Sequence, residues 1–157
     1  MKTLPIAASD EDIRKLVIEW SELMADRDFA AAYAMLSFDR SDWDWTPEIL
    51  ANTIRGYGIA DLHESDPTTL RLILEEWETD ELRMTTLNGR EDRSQIIASI
   101  EVDRENLGPL DPREYLGWVH YHDLPLNDQR SDLTARFHIR KSGADELGLE
   151  LLDIHVM

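Results

Sequence analysis

Several features are scarce or missing in this 157-residue sequence, and each absence excludes a class of protein. There is no cysteine, which excludes disulfide bonds and thiolate chemistry. No window approaches the roughly 18 consecutive apolar residues of a membrane-spanning helix. The apolar stretch from Leu4 to Ala8 is too short for a secretory signal. We therefore expect a cytoplasmic protein that makes no membrane contact, although the absence of cysteine is equally compatible with a mature exported chain.

Basic residues are scarce as well. The chain has 16 Lys and Arg against 33 Asp and Glu, which gives a formal net charge of −17. Affinity for nucleic acids and for anionic membranes begins with Lys and Arg neutralising phosphates, so neither is expected as a main partner. The acidity is concentrated between Asp61 and Glu81, where eight acidic residues and one Arg give a net charge of −7 over 21 residues. Such a span is usually a solvated face, but it would also attract a basic protein partner.

Motifs that would identify a reaction are also missing. The sequence has no P-loop, no Gly-x-Gly-x-x-Gly, no Gly-x-Ser-x-Gly and no His-Glu-x-x-His. We therefore expect no cofactor and lean towards a protein that is not an enzyme. At 42% apolar residues, with five Trp, the chain is too apolar for a disordered acidic tail, so residues 1–157 are predicted to form a single domain.

The first half of the chain, roughly residues 9–78, has the periodicity of helices. Ser9 followed by Asp12 is typical of a helix start, and Asp28 and Thr46-Pro47 begin two further helical runs. After the first cap, apolar residues recur every three or four positions, at Ile13, Leu16, Val17, Trp20, Leu23 and Met24. A fourth helix is predicted after Pro67, with a strand as the competing interpretation.

The second half, roughly residues 82–157, is typical of strands. Five β-prone runs are separated by turn signals, at Leu82–Leu87, Ser94–Asp103, Tyr115–Leu124, Leu133–Arg140 and Leu149–Val156. The short links between the last three indicate antiparallel neighbours. Alternation with charged residues predicts that the inward side chains are Leu133, Ala135, Phe137, Ile139, Leu152, Ile154 and Val156. Helices followed by strands predict an α+β fold in which helices pack on a curved antiparallel sheet.

The order of elements and two stretches of sequence resemble the cone-shaped, cystatin-like fold of nuclear transport factor two, ketosteroid isomerase and the SnoaL-like cyclases. The stretches are Asp26-Arg27-Asp28-Phe29-Ala30-Ala31-Ala32-Tyr33-Ala34-Met35-Leu36 and Trp45-Thr46-Pro47-Glu48, followed by the antiparallel strands. That superfamily includes acid/base enzymes as well as non-catalytic binding proteins, among them toxin-immunity proteins, so fold does not select function. The isomerases place a Tyr on the first helix, where this chain has Trp20 and Ser21, and no catalytic residue is carried over.

Aromatic side chains are the candidates for a ligand pocket. Trp20, Tyr33 and Tyr57 would line the interior of a cone, with a Tyr hydroxyl as hydrogen-bond donor to a ligand. The alternative is that they are plain core residues, which is the more common fate of aromatics on an apolar helix stripe. Trp43 and Trp45 flank an acid just before a helix. They would cap the pocket or anchor a partner, or else pack back on the helix that follows.

Imidazoles and a carboxylate on the predicted strands are the candidates for a metal site on an outer sheet face. His120 and His122 are two residues apart, so both project from one face of a strand, and neighbouring strands carry His138, Asp153 and His155. Such a set suits zinc or nickel. Asp153 and His155 would also suit an oriented general base. A plain polar sheet face is the more common arrangement, so we expect no tightly bound zinc.

Together these observations predict a non-catalytic binding module for a protein partner or a small apolar ligand, with a possible homodimer through the outer sheet face. One alternative is a cofactor-free acid/base enzyme of the SnoaL-like or ketosteroid-isomerase-like type acting on a small organic substrate. Another is an immunity-type inhibitor of a basic toxin. The first two differ in whether an ionisable side chain points into the cone, because proton transfer needs one.

Overall fold

The computed structural model describes residues 1–37, 45–56 and 82–156, and contains four helices and seven strands in these ranges. The helices are α1 (Asp10–Ala25), α2 (Phe29–Met35), α3 (Pro47–Arg55) and α4 (Arg93–Ser99). The strands are β1 (Leu4–Pro5), β2 (Glu101–Asp103), β3 (Tyr115–Tyr121), β4 (Pro125–Leu126), β5 (Gln129–Arg130), β6 (Leu133–Lys141) and β7 (Glu146–Val156). The predicted fourth helix after Pro67 and the acidic span Asp61–Glu81 lie outside the described residues.

Five strands form one antiparallel sheet in the order β1-β7-β6-β3-β2. The sheet is strongly curled, and the helices pack on one side of it in a cone-like α+β arrangement, which confirms the predicted fold class. Strands β4 and β5 form a separate small hairpin. None of the helices in the described ranges is long and apolar enough to span a membrane.

The helix starts predicted from the sequence are confirmed. The Ser9 hydroxyl accepts a hydrogen bond from the Asp12 amide at 3.2 Å, and the Asp12 carboxylate accepts one from the Ser9 amide at 3.0 Å. Asp28 caps α2 by accepting from the amide of residue 31 at 3.0 Å. Thr46 caps α3 in the same way at 3.1 Å. Each cap satisfies an amide that has no partner inside its helix.

The predicted strand Ser94–Asp103 is wrong for most of its length. Residues 93–99 form α4, and only the last three residues of the predicted run form β2. Ile96 and Ile100 are four residues apart and both buried, so a helical turn puts them on the same face. The β-branched content of the run suggested a strand, but this spacing is helical. The predicted strand Leu82–Leu87 is reduced to a single bridge at Met84.

Strand β6 has the predicted inward face, whereas β7 departs from it. Leu133, Ala135, Phe137 and Ile139 are all buried, as predicted. Phe137 on β6 pairs with Leu151 on β7, whereas the preceding residue of β6, Arg136, pairs with Asp153. Leu152 therefore has no partner on β6 and is the extra residue of a bulge.

The bulge changes which β7 side chains face inward. Leu147, Leu149 and Leu151 are buried before it and Ile154 after it. Leu152 is only half-buried. Val156, at the end of the strand, is 53% exposed. The prediction that Leu152 and Val156 are buried is therefore wrong. Leu152 is the inserted residue, at which strict alternation fails, whereas Val156 is opposite the inward residue Leu133 but is exposed at the end of the strand.

The side chains that alternate with the inward ones define what we call the outer face of the sheet. The strand register puts Glu101, His120, Arg136 and Asp153 directly opposite one another on β2, β3, β6 and β7. A second row, closer to the other end of the strands, contains Trp118, His138 and Glu150. The outer face is therefore crossed by two rows of polar and aromatic side chains.

Gly117 allows β2 and β3 to approach closely. It has a φ of +149°, and a Cβ atom at this position would lie 2.2 Å from the Asp103 carbonyl oxygen. We expect Gly117→Ala to lower the free energy of unfolding by about 1–3 kcal/mol, the usual cost of overpacking. Denaturant unfolding would measure it, with Gly108→Ala as the control. Gly108 also has a positive φ (+54°) but open space around it, so equal losses for the two variants would show that backbone strain alone decides.

Candidate functional site

The described side chains on the helix-facing side of the sheet are mostly apolar and buried. Trp20, on α1, is completely buried and meets Phe137 edge to face, with ring centroids 5.1 Å apart. Trp20 is thus a core residue in this structure. Tyr121 is also fully buried on this side, and burial raises the pKa of its hydroxyl to about 12. Among the described residues, the only buried histidine or carboxylate side chains are His138 and Glu150, and both lie on the outer face.

An open groove of about 300 Å³ lies where the end of α2, the start of the chain and β7 meet. Two of the predicted pocket residues line it: Tyr33, which is 40% exposed, and Trp45, which is 5% exposed. Main-chain hydrogen bonds fix its walls, from the Ser37 amide to the Leu149 carbonyl at 2.6 Å and from the Lys2 amide to the Met35 carbonyl at 3.0 Å. The remaining lining residues are Met1, Ala34, Leu36 and Leu151.

Two further pocket candidates, Trp43 and Tyr57, lie outside the described residues, so the structure does not place them. Ser37 is a groove residue that sequence reasoning missed. Its hydroxyl oxygen is buried and has no hydrogen-bond partner among the described residues. Buried hydroxyls are normally bonded, which makes this oxygen a candidate contact for a ligand. A lone Ser after a helix gives no signal in the sequence, because its burial depends on β7.

On the outer face, His120 and His122 lie side by side as their spacing predicted. Their rings are stacked with centroids 5.8 Å apart and planes inclined by 28°. Glu101, directly opposite His120 on β2, brings its Oε2 to 3.9 Å from His120 Nδ1 and 3.5 Å from His122 Nε2. Within the described ranges, these three residues are the only group of three or more possible metal ligands. Sequence reasoning missed Glu101, because only the β2–β3 register brings it to the histidines.

Neighbouring residues orient the His122 ring, and burial lowers the pKa of His120. His122 Nδ1 lies 3.2 Å from the Thr134 hydroxyl oxygen, so the ring is held on both sides. Burial lowers the pKa of His120 by more than the nearby Glu101 raises it. His120 is therefore neutral at physiological pH, which is the form that binds metals.

Asp153 and His155 make contact, as required for an oriented imidazole. His155 Nδ1 lies 2.9 Å from Asp153 Oδ1. The same carboxylate accepts two hydrogen bonds from Arg136, of which the one from Nε measures 2.8 Å. Burial alone would raise the pKa of Asp153, but the hydrogen bonds and charge of Arg136 outweigh it and lower that pKa. The Asp153 carboxylate is thus paired mainly with Arg136. Arg136, Asp153 and His155 are best explained as an ion-pair network that links β6 and β7, which we call the Arg136–Asp153 tie.

His138 does not join the other histidines. Its ring packs edge to face against Trp118 at 4.6 Å and Tyr115 at 5.2 Å, and its Nδ1 lies 3.4 Å from Glu150 Oε1. Glu150, only 1% exposed, also accepts a hydrogen bond from Arg140 at 3.0 Å. A carboxylate that orients an imidazole can support a general base. Here, however, the imidazole is 7% exposed and enclosed by aromatic rings.

Comparisons of the chain with protein-family models, with curated proteins and with solved structures found no match. Function is therefore argued from geometry. The described residues offer an apolar groove beside α2 and a histidine-carboxylate cluster on the outer face.

Proposed function

We propose that this protein is a non-catalytic binding module whose groove, lined by Tyr33 and Trp45, takes a small apolar ligand. The observation that carries the proposal is the open apolar groove itself, beside helix-facing residues that are buried and largely apolar. At about 300 Å³, the groove is at the lower end of the range for small-molecule pockets.

The composition of the groove defines the chemistry of the ligand. Its walls are formed largely by apolar side chains, and the Trp45 ring is almost completely buried against them. Two hydroxyls are available, from Tyr33 at the exposed rim and from Ser37. We therefore infer a ligand with a compact apolar body and one or two hydrogen-bonding groups, without a charge.

The described residues on the helix-facing side of the sheet favour binding over catalysis. An acid/base enzyme of the ketosteroid isomerase type needs an ionisable group that faces its substrate near its operating pH. Of the described residues, the buried ionisable group on the helix-facing side is Tyr121, and a pKa of about 12 suits it poorly to proton transfer at neutral pH. The His138–Glu150 pair is enclosed by Trp118 and Tyr115.

Partner binding is the second candidate, and the net charge of −17 favours it. An inhibitor of a basic toxin would use that charge to accelerate association. It stands second because the net charge defines no contact surface by itself, whereas the groove has defined walls. Membership of the cone-shaped superfamily remains a proposal supported by the order of the elements. A homodimer through the outer face is a separate proposal.

Titration with a neutral fluorescent probe, N-phenyl-1-naphthylamine, tests groove binding. We expect saturable binding of one probe per chain, because its emission rises when it leaves water for an apolar site. Ala34→Phe should weaken binding at least tenfold by filling the groove with an aromatic ring. Ala34 is exposed on α2 and lines the groove, so the variant should still fold.

The matched control is Ala98→Phe, which adds the same ring at an exposed position on α4 that does not line the groove. Its affinity should equal that of the unmodified protein. Equal affinity for all three proteins would place the probe elsewhere and contradict the proposal. Loss of binding in both variants would show a general effect of surface aromatics, which also argues against this groove.

A further inference from the structure

We propose that Glu101, His120 and His122 form a binding site for one divalent transition-metal ion, with zinc as the best match, and that the ion fastens β2 to β3. This site is separate from the groove and does not depend on the proposed function. The sequence alone favours a plain polar face at these histidines. The third ligand, supplied by the β2–β3 register, changes that assessment.

The distances among the ligand atoms fit a single small ion. One ligand atom from each residue lies within 4.8 Å of the other two. Zinc bonds of about 2.0–2.2 Å in a tetrahedron place neighbouring ligand atoms about 3.4 Å apart. The 3.5 Å between Glu101 Oε2 and His122 Nε2 already matches that spacing, and the 3.9 Å to His120 Nδ1 is close to it. The Glu101 side chain is 60% exposed, so it has room to close the remaining gap.

The two histidines lie side by side without any bound ion. His120 is on β3 and His122 directly follows the end of that strand, their rings are stacked on the outer face, and Thr134 contacts His122 Nδ1. In the tautomer whose Nδ1–H donates to Thr134, the Nε2 lone pair faces the Glu101 carboxylate at 3.5 Å. In that tautomer, a cation between the two atoms would bond to both of them. A hydrogen-bonded second partner of this kind is typical of metal-binding histidines.

The surrounding charge does not oppose a cation. The nearest basic side chain on the neighbouring strand is Arg136, opposite His120, and the Asp153 carboxylate neutralises it. The chain as a whole carries −17. Two imidazoles and one carboxylate favour zinc, nickel or copper over magnesium and calcium, which prefer oxygen ligands alone.

The position of the cluster gives the ion a structural effect. Strand β2 has three residues and is the last strand of the described sheet, so few main-chain hydrogen bonds hold it. An ion shared by Glu101 on β2, His120 on β3 and His122 just after β3 adds a cross-link at that edge. We expect zinc to raise the thermal unfolding midpoint and to slow amide exchange in residues 101–103.

Calorimetric titration of the full chain with zinc chloride, after treatment with a chelator and dialysis, tests the site. We expect one zinc per chain and no comparable binding of magnesium. His122→Ala and Glu101→Gln should each weaken zinc binding at least tenfold, since each removes one of three ligands. Circular dichroism checks that both variants fold, and both positions are at least partly exposed.

His155→Ala is the matched control. His155 is a partly exposed outer-face histidine that also contacts a carboxylate, but it belongs to the Arg136–Asp153 tie. This variant should bind zinc as the unmodified protein does. Zinc affinity that is unchanged in His122→Ala and Glu101→Gln would assign the metal to the general acidic surface and overturn the proposal. So would the absence of zinc binding, or its loss in His155→Ala.

Discussion

Deletion of residues 149–157 should abolish the cooperative thermal unfolding of this protein. Strand β7 pairs with β6 along its length, and the deletion removes the part of β7 that pairs with Leu133 to Ile139 of β6. It leaves only Glu146 to Gly148, including the two residues that pair with β1. It also removes the buried side chains of Leu149, Leu151 and Ile154. Truncating one buried Leu or Ile costs about 2–5 kcal/mol. Three such losses reach about 6–15 kcal/mol, which is comparable to the entire stability of a typical domain.

Differential scanning calorimetry or circular dichroism would measure this loss, and a shorter deletion provides the control. Removal of residues 156–157 alone takes away Val156, whose side chain is 53% exposed, and should move the unfolding midpoint only slightly. A sharp transition near the full-length temperature after deletion of residues 149–157 would show that β7 is not an integral strand.

Features that depend on a few neighbouring residues were predictable from the sequence. The caps at Ser9, Asp28 and Thr46 require only a side-chain acceptor close to free amides, and all three are present. The inward face of β6 was equally predictable, because apolar residues alternate with polar ones from Leu133 to Ile139 without interruption. Local chemistry decides both kinds of feature.

Features that depend on strand register were not predictable. At the β7 bulge, Leu152 is an extra residue without a partner on β6. No turn residue or charge in the sequence marks this position. The α4 segment was predicted as a strand because Ile96, Ile97 and Ile100 suit a strand by composition, although the four-residue spacing of Ile96 and Ile100 is helical. Short apolar runs of this kind are ambiguous until tertiary packing decides between the two.

The candidate sites divide in the same way. The two-residue alternation of strands predicted that His120 and His122 share one face. Glu101 joins them only through the β2–β3 pairing, which the sequence does not reveal. Tyr33 and Trp45 were both named as pocket residues and share one groove, whereas Trp20 is part of the core. The groove itself depends on hydrogen bonds from Lys2 and Ser37 to distant elements, which no local pattern encodes.

Replacement of Glu150 by Ala should be among the most destabilising single substitutions in this chain. The Glu150 side chain is 1% exposed and holds Arg140 at 3.0 Å, and Arg140 is itself only 12% exposed. Removing one member of a buried ion pair leaves the other charge without its main compensation, at a cost of about 3–5 kcal/mol. Urea or guanidinium unfolding would measure the change. Glu146→Ala, at an exposed position on the same strand, should change stability by no more than about 0.5 kcal/mol.

The double variant Arg140→Met with Glu150→Leu distinguishes the effect of losing charge balance from the effect of losing packing. Both replacements are apolar and close in length to the residues they replace, so neither charge is left buried. Replacing a buried pair in this way is often neutral or stabilising, and we expect the double variant to recover most of the stability lost in Glu150→Ala. The 4.0 Å contact from Arg140 to Glu114 is longer and the Glu114 side chain is 43% exposed, so losing it should cost little. A double variant as unstable as Glu150→Ala would mean that the shape of the pair or the Glu150 contact with His138, rather than the charge balance with Arg140, holds β6 and β7 together.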